Sequence, residues 1–229
     1  GKTDLSGGTT QAEKIIIAAD SLSTSGASLV ALGNDTLDLT VAAAMDNSDA
    51  SIATNGALNL TAQSLTNRAG RISAAGAEAS KFQIAQRLDN TGGVIATAGD
   101  TQVKAGDLIN RGGSVVAAGW SALSVEAEGL LDNSGKGMLA AGGDMAVSAD
   151  TLDNRDGSIQ HAGEGTLRLA ANTLQAYGHD LARYLDFLDE RRPREPSQVT
   201  ASDIAGFLAR LREDGIAPRS RARCLSAIR

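Results

Sequence analysis

The pattern Leu-x-Asn-x-x-Gly-x-Ile, followed by a second Gly, returns about every twenty residues through the first three quarters of this chain and then stops. The asparagines are Asn47, Asn67, Asn90, Asn110, Asn133 and Asn154, spaced 20, 23, 20, 23 and 21 residues apart. Two residues before each stands Met45, Leu65, Leu88, Leu108, Leu131 or Leu152. Five residues after each stands Ile52, Ile72, Ile95, Val115, Met138 or Ile159. Nine residues after each comes Gly56, Gly76, Gly99, Gly119, Gly142 or Gly163. An earlier copy has Leu22, Thr24, Leu29 and Gly33 in the same frame, with Thr in place of Asn. Aliphatic pairs follow, among them Leu37/Leu39, Leu58/Leu60, Phe82/Ile84 and Leu123/Val125. Length is expected to vary only between the second Gly and the pair, as a loop on one corner of a repeating unit.

Each copy alternates short period-2 segments, such as Ala57-Leu58-Asn59-Leu60-Thr61, with Gly- and Asn-rich corners. Period-2 alternation makes half-buried strands, and Gly and Asn supply the positive φ of tight corners. One unit of this length cannot bury its apolar face. Stacked on copies of itself, it pairs every strand with the turns above and below. The expected fold is therefore mainly β: a right-handed parallel β-helix of about seven rungs, followed by a small all-α bundle. Seven rungs at the interstrand spacing would stand about 30–35 Å tall. A leucine-rich repeat would need Leu-x-x-Leu-x-Leu. A calcium-binding nonapeptide roll would need repeated Gly-Gly-x-Gly-x-Asp, and Gly142-Gly143-Asp144 stands alone.

The asparagines and corner glycines read as structural. A residue type demanded at one place in every turn is what corner geometry requires, with each Asn satisfying backbone groups of its own turn or the next. His161 reads as a loop residue rather than a metal ligand, since no second His or Cys lies near it. Trp120, directly after Gly119, reads as a packed corner aromatic in preference to an exposed ligand contact. No catalytic, metal or cofactor site is expected.

Leu65-Thr-Asn67-Arg-Ala-Gly70-Arg-Ile72, Leu88-Asp-Asn90-Thr-Gly-Gly93-Val-Ile95 and Leu152-Asp-Asn154-Arg-Asp-Gly157-Ser-Ile159 resemble filamentous haemagglutinin repeats. The resemblance covers about residues 5–172. It implies a right-handed parallel β-helix from a large exoprotein of Gram-negative bacteria, exported by two-partner secretion. Such proteins act as adhesins or as stalks of contact-dependent inhibition toxins, so the implied partner is a host or neighbouring-cell surface reached through a larger exoprotein. No run of about 18 apolar residues is present to span a membrane. Without an initiating Met, Gly1 is expected not to be a natural start.

Composition shifts near Asn172. Residues 1–172 hold 23 of the 26 Gly, no Pro, Cys or Tyr, and 11 basic against 19 acidic groups. Residues 173–229 hold all three Pro, both Tyr, the one Cys, and ten Arg against eight acidic groups, without a Lys. Two domains, 1–172 and 173–229, follow. In the second the period becomes 3.6: Leu174, Tyr177, Leu181, Tyr184, Leu185 and Leu188 form one helical stripe. Arg191-Arg192-Pro193-Arg194-Glu195-Pro196 breaks that helix. Thr200-Ala-Ser-Asp203 opens a second in capping-box fashion, carrying Ile204, Phe207, Leu208 and Leu211 and ending at Gly215. Pro218 opens a third, with Leu225 and Ile228.

The stretch from Asn172 to Leu188, with Val199-Thr200-Ala-Ser-Asp203-Ile204 and Pro218 to Arg229, is similar to the core-binding domain of Xer-type tyrosine recombinases and phage integrases. The resemblance implies duplex DNA as partner of residues 173–229. Arg219 and Arg223 lie four apart on one helical face, as phosphate contacts would and as an Arg-rich solvated face equally would, and Arg229 is grouped with them. Arg221 and Cys224 depart from the family's pattern, standing where an aliphatic residue and an Arg are usual. The domain is expected to be truncated and its catalytic partner absent, so no recombination chemistry and no enzyme activity is expected. The two resemblances imply opposite locations, secreted or cell-surface against cytoplasmic. Ala171-Asn172-Thr173-Leu174 fits both families, which makes a chimeric or rearranged reading frame the expectation for how they are joined.

Overall fold

The computed structural model describes residues 1–171, 183–188, 200–214, 216, 221 and 224–225. They belong to two compact units, Gly1–Ala171 and Asn172–Arg229.

The first unit is a parallel β-solenoid of about eight turns. The extra turn lies ahead of Thr24, where Lys2–Asp4 pairs in parallel with Ser21–Ser23. It carries no Asn motif, and by register Leu5 stands in line with Thr24. Each turn gives one short strand to an eight-stranded sheet. These include Ser28–Ala31, Ser51–Thr54, Arg71–Ala74, Val94–Thr97, Ser114–Ala117, Met138–Ala141 and Ser158–His161. The other wall is built of longer strands: Leu58–Thr66, Ser80–Asp89, Thr101–Ile109, Leu123–Asp132 and Met145–Asp153. Every pairing between turns is parallel and joins the same position of successive copies, so identical side chains stack into columns that face inward. Leu65, Leu88, Leu108 and Leu131 make one column, all 0–1 % exposed. Ile52, Ile72, Ile95 and Val115, each fully buried, make another.

Three details of the repeat frame differ from the sequence reading. In the Asn133 copy the inward residue is Leu139, in register with Val115, and Met138 pairs with Ser114 on the half-buried outer side. Lys136 is the cause. It adds one residue to that corner and takes a left-handed conformation with φ 71°. Phe82 and Ile84 align with Leu60 and Ala62, so Leu58 is matched by Ser80 and Thr101, both buried polar residues in an otherwise aliphatic column. Length also varies at more than one place. Ser80–Asp89 and Leu123–Asp132 have 10 residues where their neighbours Leu58–Thr66, Thr101–Ile109 and Met145–Asp153 have 9, and the register shifts at a bulge inside each pairing. Long turns also take four steps from the corner Gly to the next strand, as from Gly76 to Ser80, and short ones two, as from Gly99 to Thr101, or three, from Gly142 to Met145 in the turn that Lys136 lengthens. Long and short turns alternate, which is why Asn47, Asn90 and Asn133 lie 43 apart.

The glycines serve two physical purposes. Positive φ falls two residues after each ladder residue, at Gly26, Asp49, Ala69, Gly92, Gly112, Gly135 and Asp156. The glycines nine residues after Asn are needed for close approach instead. A Cβ on Gly56, Gly99 or Gly142 would strike a backbone carbonyl oxygen of the preceding turn. Only Gly119 in that set has positive φ.

In the second unit, residues 183–188 and Ala201–Glu213 are helical. Thr200 caps the second helix in a full capping box. Its hydroxyl takes the Asp203 N–H, and the Asp203 carboxylate takes the Thr200 N–H at 2.9 Å. Tyr184, Phe187, Leu188, Phe207, Leu211 and Cys224 form the core, with the Phe207 ring 5.0 Å from that of Tyr184 and 5.5 Å from that of Phe187. Leu185, assigned to the apolar stripe from its spacing, is 49 % exposed; Phe187, two residues on, takes the inward place. Leu174, Tyr177, Leu181, Gly215, Pro218 and Ile228 lie outside the described residues.

Candidate functional site

The asparagine corner is a continuous side-chain ladder. The Thr24 hydroxyl donates to Asn47 Oδ1 at 2.8 Å. Each Nδ2 then donates to the next Oδ1: Asn47 to Asn67 at 2.6 Å, Asn67 to Asn90, Asn90 to Asn110 and Asn110 to Asn133 at 2.7 Å, and Asn133 to Asn154 at 2.6 Å. The same amides donate to carbonyls of their own corner, as Asn90 to Gly93, and of the next turn, as Asn90 to Ser114. From Asn47 to Asn133 they are fully buried. Aligned amides in a dry corner leave no donor or acceptor for a ligand, so the chemistry spent here is structural.

A second row beside it was missed from the sequence. Asp46, Asp89 and Asp132, each preceding a ladder Asn, take the N–H and hydroxyl of the residue two further on: Ser48, Thr91 and Ser134. Arg68 and Arg111, one turn earlier, reach across to Asp89 at 2.7 Å and Asp132 at 2.5 Å. Burial pushes both carboxyls up, but the hydrogen bonds from Arg68 and Thr91, and from Ser134 and Arg111, outweigh it and hold both below the usual carboxylate range. Arg155 folds back on its own-turn Asp153 and holds that carboxyl at about 2. The signal that could have revealed this row is Arg directly after Asn in every second copy, with Asp directly before Asn in the copies between.

Two assignments made from spacing are corrected by position. His161 is not in a loop. It ends the strand Ser158–His161 in register with Ala141, and its Nε2 is buried without a hydrogen-bond partner. Trp120 is not packed: it is 81 % exposed.

The solenoid exterior carries a groove of about 460 Å³ on the long-strand wall. Lys81, Gln102, Ser124, Ala146 and Arg168 occupy one outward column in successive turns. Asp100, Ala122, Asp144 and Thr166 enter from the adjoining corner. Small side chains at Ala122, Ser124 and Ala146 form the dip between the longer residues. The Asp100 carboxylate accepts the Ala122 N–H at 2.8 Å and that of Asp144 the Thr166 N–H at 2.7 Å, which fixes both at the rim. Among the described residues no group of three or more His, Cys, Asp or Glu is placed to hold a metal ion, and no helix is long and apolar enough to cross a membrane.

In the helical unit Arg219, Arg223 and Arg229 lie outside the described residues. Arg221 is half-buried and Cys224 buried. Arg210 pairs with Asp214 at 3.4 Å on the exposed side of its helix.

Comparison with known proteins divides the chain in the same sense. Residues 1–77, 79–135 and 121–181 match the haemagglutinin repeat, and residues 165–229 match the phage integrase N-terminal SAM-like domain. Over 60 residues, 26 % of this chain and 20 % of the relative, it is 40 % identical to the tyrosine recombinase XerD of Bifidobacterium longum. Over 62 residues, 27 % and 21 %, it is 39 % identical to the XerD of Listeria monocytogenes, and over 61 residues, 27 % and 20 %, 41 % identical to the tyrosine recombinase XerC of a Roseiflexus species. The chain spans about a fifth of the length of these curated relatives. No solved structure matches.

Proposed function

Because the chain belongs to the haemagglutinin-repeat family, we propose that its solenoid is a segment of the stalk of a secreted bacterial adhesin or contact-dependent toxin exoprotein, presented to a host or neighbouring cell. The observation that carries this reading is the division of labour in each turn. Inward columns and the Asn ladder are held nearly constant, whereas outward positions in one column run through Asp38, Asn59, Lys81, Gln102, Ser124, Ala146 and Arg168. A scaffold whose interior is fixed and whose exterior is free is suited to spacing and display. The test is adhesion of fluorescent beads coated with the full chain to epithelial and bacterial cells, against beads coated with an unrelated β-solenoid. Equal retention of the two bead types would sink the adhesive reading.

A second reading applies to the C-terminal unit, on the strength of its match to the recombinase N-terminal domain. In this reading residues 173–229 dock on duplex DNA, with Arg219, Arg223 and Arg229 on phosphates, and the repeats are a chimeric or rearranged fusion. Support for a fusion is that residues 165–181 match both families. The full chain should then shift duplex DNA at low salt, with affinity falling steeply as salt rises, and Arg219→Ala with Arg223→Ala should flatten that salt dependence. An unshifted duplex at 20 mM salt would remove the DNA role. Single-molecule reads running uninterrupted through the codons for Asn172 to Leu174 in the source DNA would remove an assembly artefact.

A further inference from the structure

We propose that the outer face of the short-strand sheet is a self-association surface, through which two copies of this chain pack side by side. The inference depends neither on what the stalk displays nor on the C-terminal unit.

This sheet is even where the opposite wall is bulged. Each of its eight strands has four residues, and every pairing between them runs in unbroken register. The second and fourth residues of a strand face the core, as Ile72 and Ala74 do, so the first and third face outward. The residue after the strand continues the outward row and keeps the parallel ladder. Ala75 N–H donates to Thr54 O and Ala98 N–H to Ala74 O, both at 2.9 Å. The face thus has three outward columns across the eight turns.

Its composition differs from the rest of the exterior. The middle column includes Val30, Ala53, Ser73, Ala96, Val116 and Ala140, all half-buried. The third includes Leu32, 39 % exposed, with Ala75, Ala98, Ala118 and Ala162. Two charges fall in the three columns, Arg71 and, in the first turn, Glu13, and they cancel. The long-strand wall turns Asp38, Lys81, Lys104, Glu126 and Arg168 outward. Residues 1–172 carry 19 acidic against 11 basic groups, so copies repel one another on approach. A neutral face is where that repulsion is least and where burial desolvates the fewest ions.

A second copy fits this face better than other occupants. Paired copies bring like patch to like patch, and a patch meets itself without repulsion when it is near neutral. Its rows recur at the interstrand spacing of about 4.8 Å, which another solenoid matches turn for turn. Duplex DNA or an anionic lipid surface would need a run of cations. An added peptide strand would need an open edge, and the six inner strands are paired on both sides. Three columns span about 16 Å and eight turns about 38 Å, so each copy would cover about 600 Å². Both sides together give about 1,200 Å², the low end for a specific contact, so the pair is reversible. Each further turn of repeat would add about 80 Å² per copy, so longer runs hold more tightly.

Sedimentation equilibrium of the full chain from about 10 µM to about 1 mM should show the mass rising from one chain toward two. Association should strengthen as sodium chloride is raised, since salt screens the shared negative charge. Ala96→Glu and Ala98→Glu, both outward substitutions in a central turn, should each weaken it roughly tenfold or more, with urea midpoints unchanged. Ser124→Glu, which adds the same charge to the long-strand wall, should keep it within about twofold of native. A single-chain mass at the highest concentration overturns the proposal. So does native association in both Glu variants of the face, a loss in Ser124→Glu equal to theirs, or a contact that salt dissolves. Masses rising past two chains would indicate end-to-end pairing of open strands and overturn it as well.

Discussion

Replacing Asn90 by Asp tests the asparagine ladder with almost no change of shape. Asn90 is fully buried, accepts from Asn67 Nδ2 at 2.7 Å and donates to Asn110 Oδ1 at 2.7 Å, Gly93 O at 3.2 Å and Ser114 O at 3.2 Å. A carboxylate can still accept from Asn67 but has nothing to donate. It would face three oxygens, so repulsion replaces attraction. Leaving the Asn110 acceptor unpaired alone costs about 1–3 kcal/mol, and an uncompensated buried charge raises the total to about 3–5 kcal/mol. Burial among oxygens pushes the introduced carboxyl up relative to its unfolded value near 3.9. The sign follows: below about pH 4 both states carry the proton, the acid donates to Asn110, and the loss is smallest. As pH rises past the unfolded pKa the unfolded chain ionises first, and the gap to the native protein widens. Urea unfolding of the full chain, followed by circular dichroism from pH 3.5 to 7.5, measures this as a midpoint difference that grows with pH. Asn90→Ala, uncharged, should lose about 2–4 kcal/mol with no such growth. An Asp variant as stable as the native chain at pH 7 would mean that the ladder amides are not acting as buried donors.

Three further outcomes follow from corner geometry and charge. Ala69, with φ 51°, and Gly92, with φ 63° and open space around it, hold equivalent left-handed positions; Ala69→Gly should stabilise by about 0.5–1 kcal/mol and Gly92→Ala should destabilise by about 1 kcal/mol in the same urea assay. Gly93→Ala, one residue later, should cost several kcal/mol or prevent folding, because its methyl would land on the Asn67 carbonyl oxygen; a midpoint shift as small as that of Gly92→Ala would contradict the close approach. The Asp153 carboxyl, held at about 2 by Arg155, stabilises the fold above its unfolded pKa near 3.9 and loses that contribution as pH falls from about 4 to 2; carbon-detected NMR should place its titration near 2 in the native chain and nearer 4 in Arg155→Ala.

How far the sequence could be read depended on whether a feature repeats in every turn. The Asn positions, the Leu two before them and the corner glycines recur in each copy, and each such recurrence is a place where backbone meets backbone. Features recurring in every second copy were harder to see. Taken one turn at a time, Arg68 and Asp89 are 21 residues apart and belong to copies of different length. Trp120 and His161 were misread because neither residue type recurs at the same position in the other copies. The inward place of His161 follows only from counting strand register down from Ala141, past a corner that Lys136 had lengthened. In the helical unit the capping box was legible because it is local, whereas the exchange of Leu185 for Phe187 was decided by Phe207 on another helix.

The alternation of long and short turns also explains the acidic residues on the long-strand wall. Where a long turn stacks on a short one, some N–H groups at the corner and at the bulge are met by side chains in place of backbone carbonyls. The long turn after Asn110 has two such donors, Ala122 at its corner and Leu130 at its bulge. They are taken by Asp100 and Asp107 of the short turn before, at 2.8 Å and 2.7 Å. Thr166, at the next long corner, is taken by Asp144 of the short turn preceding it. Short turns thus supply carboxylates, and long turns supply the unpaired donors. An orphaned amide is costly enough that a side chain is recruited to meet it. In the turn after Asn47, where Asp100 and Asp144 have their counterpart, the residue is Ala57, and no such acid lines the wall. The groove begins beyond it, at Ala79 and Lys81. The rim acids of the groove are therefore present as a consequence of how unequal turns stack.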